Sequence, residues 1–251
     1  MSRRETIKAA HKYLRETLRP SPLFDVRRSF RRFTAVARED ADWLAPLLDN
    51  PDAVMATGDM LKNDVGSTLV RVDLAGRALV IKRYNIKGVI HAISRAFRPS
   101  RAWRSWREGH RLRFLGISTP QPRAMIEDRL GPLRRCSWIV TDYFPGPLLV
   151  NHLAPHINAP VPPPAEAAAI LHLMKTFHAL RIKHGDMKAY NMLWDAAAGG
   201  IVIIDLDDTN QHTFSFTAAR SWRRDRARFM RNWPADSALH RWLDARIPEA
   251  P

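Results

Sequence analysis

The stretch His184-Gly185-Asp186-Met187-Lys188-Ala189-Tyr190-Asn191, followed by Ile201-Val202-Ile203-Ile204-Asp205, decides how the chain is read. Its spacing is H-x-D-x-K-x-x-N, then an apolar run that ends in a carboxylate 19 residues after Asp186. Transfer of a phosphoryl group needs a carboxylate to orient or deprotonate an acceptor hydroxyl. It also needs oxygen ligands for magnesium and a cation on the transferred phosphate. Asp186 suits the first task, Asn191 and Asp205 the second, and Lys188 the third. The apolar residues 201–204 read as a short buried strand that fixes Asp205 at its end. A bare H-x-D is weak, but the full spacing with a strand-terminal aspartate is specific; a turn of solvated charges is the bland alternative.

These residues resemble the catalytic segment of the protein-kinase-like fold, and the resemblance implies a nucleotide-binding hairpin upstream. Residues 65–72 place β-branched side chains around Gly66, Gly76 marks a turn, and Leu79-Val80-Ile81-Lys82-Arg83-Tyr84 reads as the returning strand. In kinases a glycine-bearing hairpin covers the phosphates and a lysine stands on the next strand. By that likeness Gly66 and Lys82 bind the nucleotide, although the loop keeps one glycine where kinases have three. The fold expected is α+β and bilobal: a small antiparallel-sheet lobe over 51–141, a mainly helical large lobe over 142–251, and a basic helical N-terminal extension over 1–50. Ile7, Ala10, Tyr13, Leu14 and Leu18 at helical spacing support that extension. Arg27, Arg28, Arg31 and Arg32 around Phe30 and Phe33 suit an anionic surface or a plain solvated face.

Composition bounds the partners. The net charge is +15, from 40 Lys and Arg against 25 Asp and Glu, so the field attracts an anionic partner: nucleic acid, acidic lipid or a phosphorylated substrate. Cys136 is the only cysteine, which excludes an internal disulfide and suits a reducing compartment. The charged N-terminus has no signal-peptide pattern, and no apolar run approaches the ~18 residues of a membrane span. No Walker A sequence occurs, which excludes P-loop phosphate chemistry.

Residues 82–113 hold ten Lys and Arg against one acid, Glu108. Ile86, Val89, Ile90, Ile93 and Phe97 predict a basic amphipathic helix, and a second helix is expected from Arg101 to Leu115. Kinases pair a helix glutamate with the strand lysine, so Glu108 is assigned to brace Lys82; an ion pair with Arg104 or Arg111 on the helix surface is the alternative. The segment Phe97-Arg98-Pro99-Ser100-Arg101-Ala102 through Glu108, leading to Gly116-Ile117-Ser118-Thr119-Pro120-Gln121-Pro122, is similar to the bacterial lipopolysaccharide-core kinases, the Kdo and heptose kinases. Over about residues 60–210 that resemblance implies ATP- and Mg2+-dependent phosphorylation of a sugar hydroxyl on the inner-core glycolipid. It also implies a cytoplasmic protein peripherally bound to the anionic inner-membrane surface, with no nucleic acid as partner.

By fold analogy residues 137–144 form the last small-lobe strand, with backbone near Asp142 to Phe144 available to adenine. Residues 165–180 predict a helix that delivers the chain to His184. Asp207 stands where protein kinases have glycine, and Gly185 where many carry an arginine that reads activation-loop phosphorylation. No A-P-E follows; these departures favour a small-substrate enzyme over a phospho-switched protein kinase. The tail from Arg220 to Arg246 interleaves eight arginines with Trp222, Phe229, Trp233 and Trp242, a texture of membrane-interface helices and of nucleic-acid surfaces alike. Trp222 and Phe229 read as core. Two other functions compete: a protein Ser/Thr kinase or small-molecule phosphotransferase, and a non-catalytic basic module that binds membrane or nucleic acid.

Overall fold

The computed structural model describes residues 3–85 and 98–249, so the helix expected over 86–97 lies outside the described residues. The chain divides into two compact units: Met1–Leu115 with Pro120–Tyr143, and Gly116–Thr119 with Phe144–Pro251.

The first unit is built on a seven-stranded antiparallel sheet in the order β1-β2-β6-β7-β5-β4-β3. Its strands are β1 (Phe24–Arg28), β2 (Arg32–Ala37), β3 (Asp59–Asp64), β4 (Ser67–Leu74), β5 (Arg77–Tyr84), β6 (Pro122–Leu130) and β7 (Leu133–Asp142). Successive strand residues face opposite sides, and two cores follow from that alternation. One face buries Val36, Ile81, Ile126, Trp138 and Val140 with Leu44, Leu47 and Met55. Those last three come from α2 (Ala45–Asp49), α3 (Pro51–Met55) and the turn before them. The opposite face buries Phe33, Ala35, Tyr84, Met125 and Ile139 against Ala102 and Trp106 of α4 (Arg101–Phe114).

The helix α1 (Arg3–Glu16) docks on α4: the Trp106 indole N–H donates to the Thr17 carbonyl at 3.1 Å, and Tyr13 bonds His110 at 3.1 Å. Burial lowers the His110 pKa to about 3, so the ring stays neutral between Trp106 and Phe24.

The N-terminal fifty residues therefore differ from the expected helical extension. Residues 24–28 and 32–37 are strands, and β2 is an interior strand, pairing with β6 from Arg32↔Asp128 to Val36↔Ala124. The arginines stand at strand ends and in the turn, where they hide the alternation of Phe24, Val26, Phe33 and Ala35. Arg32 itself bonds Asp128 at 3.1 Å and the carbonyls of Leu48 and Asp49, so it fastens the sheet rather than an external anion.

The second unit holds α5 (Leu149–Leu153), α6 (Pro164–Leu180), α7 (Ser215–Met230) and α8 (Ala238–Asp244). Two small antiparallel pairs complete it: β8 (Ile182–Lys183) with β11 (Asn210–Gln211), and β9 (Met192–Asp195) with β10 (Gly200–Ile203). The α6 helix buries Ile170, Leu173, Met174 and Phe177 and ends at Arg181 in a left-handed conformation, φ 54°, just before β8 and His184. Trp222 and Phe229 of α7 are buried, as expected of core residues. Among the described residues no helix is long and apolar enough to cross a membrane.

Removing residues 1–40 deletes β1 and β2 and bares the edge of β6, so the truncated chain is expected to lose its cooperative thermal transition. A chain that still melts sharply, within a few degrees of full length, would show these strands to be dispensable.

Candidate active site

The loop after β8 is shaped by one buried carboxylate. Asp225 of α7, 1% exposed, accepts from the His184 backbone N–H at 2.7 Å and the Gly185 N–H at 3.1 Å. Gly185 has φ +89°, and a Cβ there would lie 2.3 Å from an Asp208 carboxylate oxygen, so glycine is required twice over. The His184 ring donates from Nε2 to the Ile204 carbonyl at 3.1 Å, since a carbonyl can only accept. That bond ties the loop to the chain leaving β10.

Asp186, Lys188 and Asn191 are brought together. Lys188 Nζ lies 2.9 Å from Asp186 Oδ1, and the Asn191 amide donates to Asp186 Oδ2 at 3.1 Å and to its carbonyl at 2.8 Å. The Asn191 carboxamide oxygen stays available as a hard ligand, the kind magnesium takes. Burial raises the Asp186 pKa, but the hydrogen bond and charge of Lys188, then Asn191 and Arg228, outweigh it and hold the carboxyl below its usual range. Asp186 therefore remains ionised near neutrality and can accept hydrogen bonds.

Asp205 follows β10 with φ 62°, a conformation that costs a non-glycine residue on the order of 1 kcal/mol. Its neighbours are fixed. Ile204 N–H donates to the Asn191 carbonyl at 3.0 Å, so the two expected metal ligands are set by adjoining backbone. Ile203 donates to the Ser118 carbonyl at 2.9 Å, and the Thr119 hydroxyl donates to the Ile203 carbonyl at 2.7 Å. The Gly116-Ile117-Ser118-Thr119 segment thus works as a splint for β10.

Sequence reasoning missed two residues of this site. Asp225 was one acid in an arginine-rich tail, and its isolation among bases was the signal. Arg228, one turn further on, bonds the Gly185 carbonyl and lies 3.3 Å from Asp186 Oδ1.

In the first unit, Gly66 sits in the β3–β4 turn, and its carbonyl accepts from Asn85 N–H at 3.2 Å and from Arg101 at 3.3 Å. Lys82 is on β5 opposite Ile139, hence on the sheet face that α4 covers. Its ammonium is 5.2 Å from the Tyr84 ring centroid, and Arg101 covers the same ring at 4.6 Å. Ser100 caps α4 through the Trp103 N–H at 3.0 Å and bonds buried Glu127. The Arg98-Pro99-Ser100-Arg101 run therefore starts a helix and hands Arg101 to the glycine turn.

Glu108 departs from expectation. In place of an ion pair with Lys82, its carboxylate is held by Arg107 Nε at 3.0 Å and Arg111 Nε at 2.8 Å. The alternative pair with Arg111 is the one formed, and it is buried rather than on the helix surface, both side chains being under 5% exposed. A neighbour at i+3 on the same helix is within reach without moving the backbone. Burial pushes the Glu108 carboxyl up, against the pull of Arg111 and then Arg107. The backbone expected to meet adenine is also partly engaged: Asp142 N–H donates to Gln121 and Tyr143 N–H to Ala78, at 3.0 and 2.9 Å.

A model of the lipopolysaccharide kinase (Kdo/WaaP) family matches residues 61–239. The chain belongs to that family. As a Kdo/WaaP-family kinase it is a phosphotransferase whose acceptor is a sugar hydroxyl. Among solved structures it is similar to WaaP in complex with acyl carrier protein, at 20% identity over 75% of this chain and 77% of that one, with a TM-score of 0.56. A likeness at that identity speaks for the α+β kinase-like fold. Against curated protein sequences the chain has no match. The family match starts within β3 and ends in α8, so the strands β1 and β2 lie before it yet belong to the same sheet.

Two outcomes test the loop of this Kdo/WaaP-family kinase. Asp225→Ala leaves two buried N–H groups without their acceptor, and a loss of about 3 kcal/mol in urea unfolding is expected, with turnover falling as well; unchanged stability would show that Asp225 does not hold the loop. Lys188→Met removes the strongest influence lowering Asp186, so the acid limb of the kcat profile should move to higher pH. An unmoved limb would detach Asp186 from that limb.

Proposed function

We propose that this kinase transfers the γ-phosphate of ATP to a hydroxyl of Kdo or heptose in the lipopolysaccharide inner core, at the cytoplasmic face of the inner membrane. The observation that carries the reading is the Asp186 cluster: an ionised carboxylate bonded by Lys188 and Asn191, half open to solvent, on a loop pinned from beneath by Asp225. In it Asp186 accepts the hydrogen bond of the incoming sugar hydroxyl and orients its oxygen for in-line attack. It takes the proton late, since its basicity is depressed. Lys188 shares that carboxylate and offers its remaining donors to the transferred phosphoryl group.

The donor set fits magnesium, because Asn191 Oδ1 and the Asp205 carboxylate are hard oxygen ligands on backbone segments joined by the bond from Ile204 to Asn191. Bound there, the ion would neutralise charge on the ATP phosphates. Lys82 is the cation assigned to the nucleotide phosphates, and Gly66, whose carbonyl accepts from Arg101, is the glycine assigned to the nucleotide turn. Glu108 enters this scheme as the counter-charge that keeps the arginines of α4 in place rather than as the brace of Lys82. The lack of a phospho-reading arginine at Gly185 supports a site that is always assembled.

Separate variants distinguish the roles. Asp186→Ala is expected to cut turnover of ATP and core glycolipid by a factor on the order of 1,000 while leaving ATP affinity within a few-fold of wild type. Lys82→Ala should instead weaken ATP binding. Normal phosphate transfer by Asp186→Ala would refute the assignment.

A further inference from the structure

The α7 helix holds the catalytic loop with one side and presents an unusual surface on another. Its buried side is Ala218, Trp222, Asp225, Phe229 and Met230. The outward positions are Phe216, Arg220, Arg223, Arg224, Ala227 and Arg231, all exposed. At 3.6 residues per turn these six fall in one stripe about 100° wide. The stripe has no acid. Arg220, Arg223 and Arg224 make no ion pair among the described residues, in contrast to Arg226, which bonds Asp244 at 2.9 Å on the helix flank. Just ahead of the helix stands Phe214, 65% exposed, stacked on Phe216, 74% exposed, with ring centroids 6.2 Å apart.

We propose that this stripe, led by the Phe214–Phe216 pair, is the surface by which the kinase lies on an anionic lipid bilayer. Two exposed phenylalanines have no polar atom to satisfy, and the acyl boundary just below the headgroups is where such rings are stable. The row of arginines behind them meets the negative potential of anionic headgroups. The rings stack on each other, so they offer one compact apolar tip rather than an open face for a nucleic-acid base; this favours lipid over single-stranded nucleic acid.

The position of the stripe adds a reason. Arg228 follows Arg224 by one turn, at the border of the stripe, and its guanidinium is turned toward Asp186. A helix lying on the membrane by this face therefore holds the catalytic carboxylate at the rim of the contact, just above the headgroups. That is where the sugar of a membrane-embedded glycolipid presents its hydroxyls. The proposal rests on the glycolipid reading only for this last point; the stripe and its aromatic tip stand without it.

The test is flotation of the full chain with vesicles of phosphatidylethanolamine and phosphatidylglycerol, against vesicles of phosphatidylcholine alone. Wild type should bind the anionic vesicles and release in high salt. The triple variant Arg220→Glu, Arg223→Glu, Arg224→Glu should bind on the order of 100-fold more weakly. Phe214→Ser with Phe216→Ser should lose binding at least tenfold while keeping the salt response. Both variants should phosphorylate delipidated core oligosaccharide at the wild-type rate, which also reports an intact fold, and lose activity only on glycolipid in vesicles.

Vesicle binding equal in wild type and the charge-reversal variant would overturn the docking surface. So would binding of duplex DNA or acyl carrier protein through this stripe with no affinity for vesicles. Failure of every form to phosphorylate either acceptor would count against the glycolipid reading instead, and flotation would then judge the surface alone.

Discussion

The Asp225 carboxylate, buried and accepting from two consecutive backbone N–H groups, is the constraint on which the site depends. Without it, the His184–Gly185 backbone would have two donors facing a dry interior, and the loop would relax to find partners elsewhere. With it, Gly185 is held at positive φ, the chain turns sharply, and the next side chain is Asp186. Each later feature inherits that placement. Lys188 and Asn191 converge on Asp186 because the loop is closed at its base, and Asp205 follows because His184 and Asn191 are bonded on either side of Ile204. Burial pushes the Asp225 pKa up while the two backbone N–H groups oppose it. Its position therefore reflects a balance that only a fixed backbone partner can sustain.

On the proposed reading, the same helix serves both the chemistry and the approach to the substrate. In the proposed reaction the sugar sits on a membrane glycolipid that is not free to diffuse into a cleft, so the enzyme must come to it. One face of α7 fixes the 184–191 loop from inside through Asp225, and its edge brings Arg228 to Asp186. The outward face is basic with an aromatic tip. The N-terminal sheet extension has a comparable economy: β1 and β2 widen the sheet and supply Phe24 and Phe33 to the core beneath α4, the helix whose N-terminus hands Arg101 to the glycine turn.

Much of this was legible in the residues because the chemistry demands fixed spacing. The 184–191 stretch, the strand before Asp205, the hairpin around Gly76 and the helix from Arg101 are local features, and local spacing survives into three dimensions. What was not legible depends on partners distant in sequence. Asp225 meets a backbone forty residues away, and its isolation among arginines marks it out without saying which backbone it meets. The strands 24–28 and 32–37 carry arginines at their ends that swamp a two-residue alternation, so charge was read where burial decides. Glu108 was read by the family expectation, whereas its carboxylate is held by Arg111 at i+3 on its own helix. Ser118 and Thr119 stood in a motif whose work, splinting Ile203, is invisible until the strand beside it is known.

The central claim is that Asp186, on a loop pinned by Asp225, directs one phosphate onto the lipopolysaccharide core. Its most direct measurement is the mass of core glycolipid extracted from cells that carry the wild-type chain or the isosteric Asp186→Asn variant. The account predicts that wild-type cells gain a species heavier by one phosphate on an inner-core sugar, and that cells with the variant do not. The same phosphorylated species in both, or in neither, would contradict it.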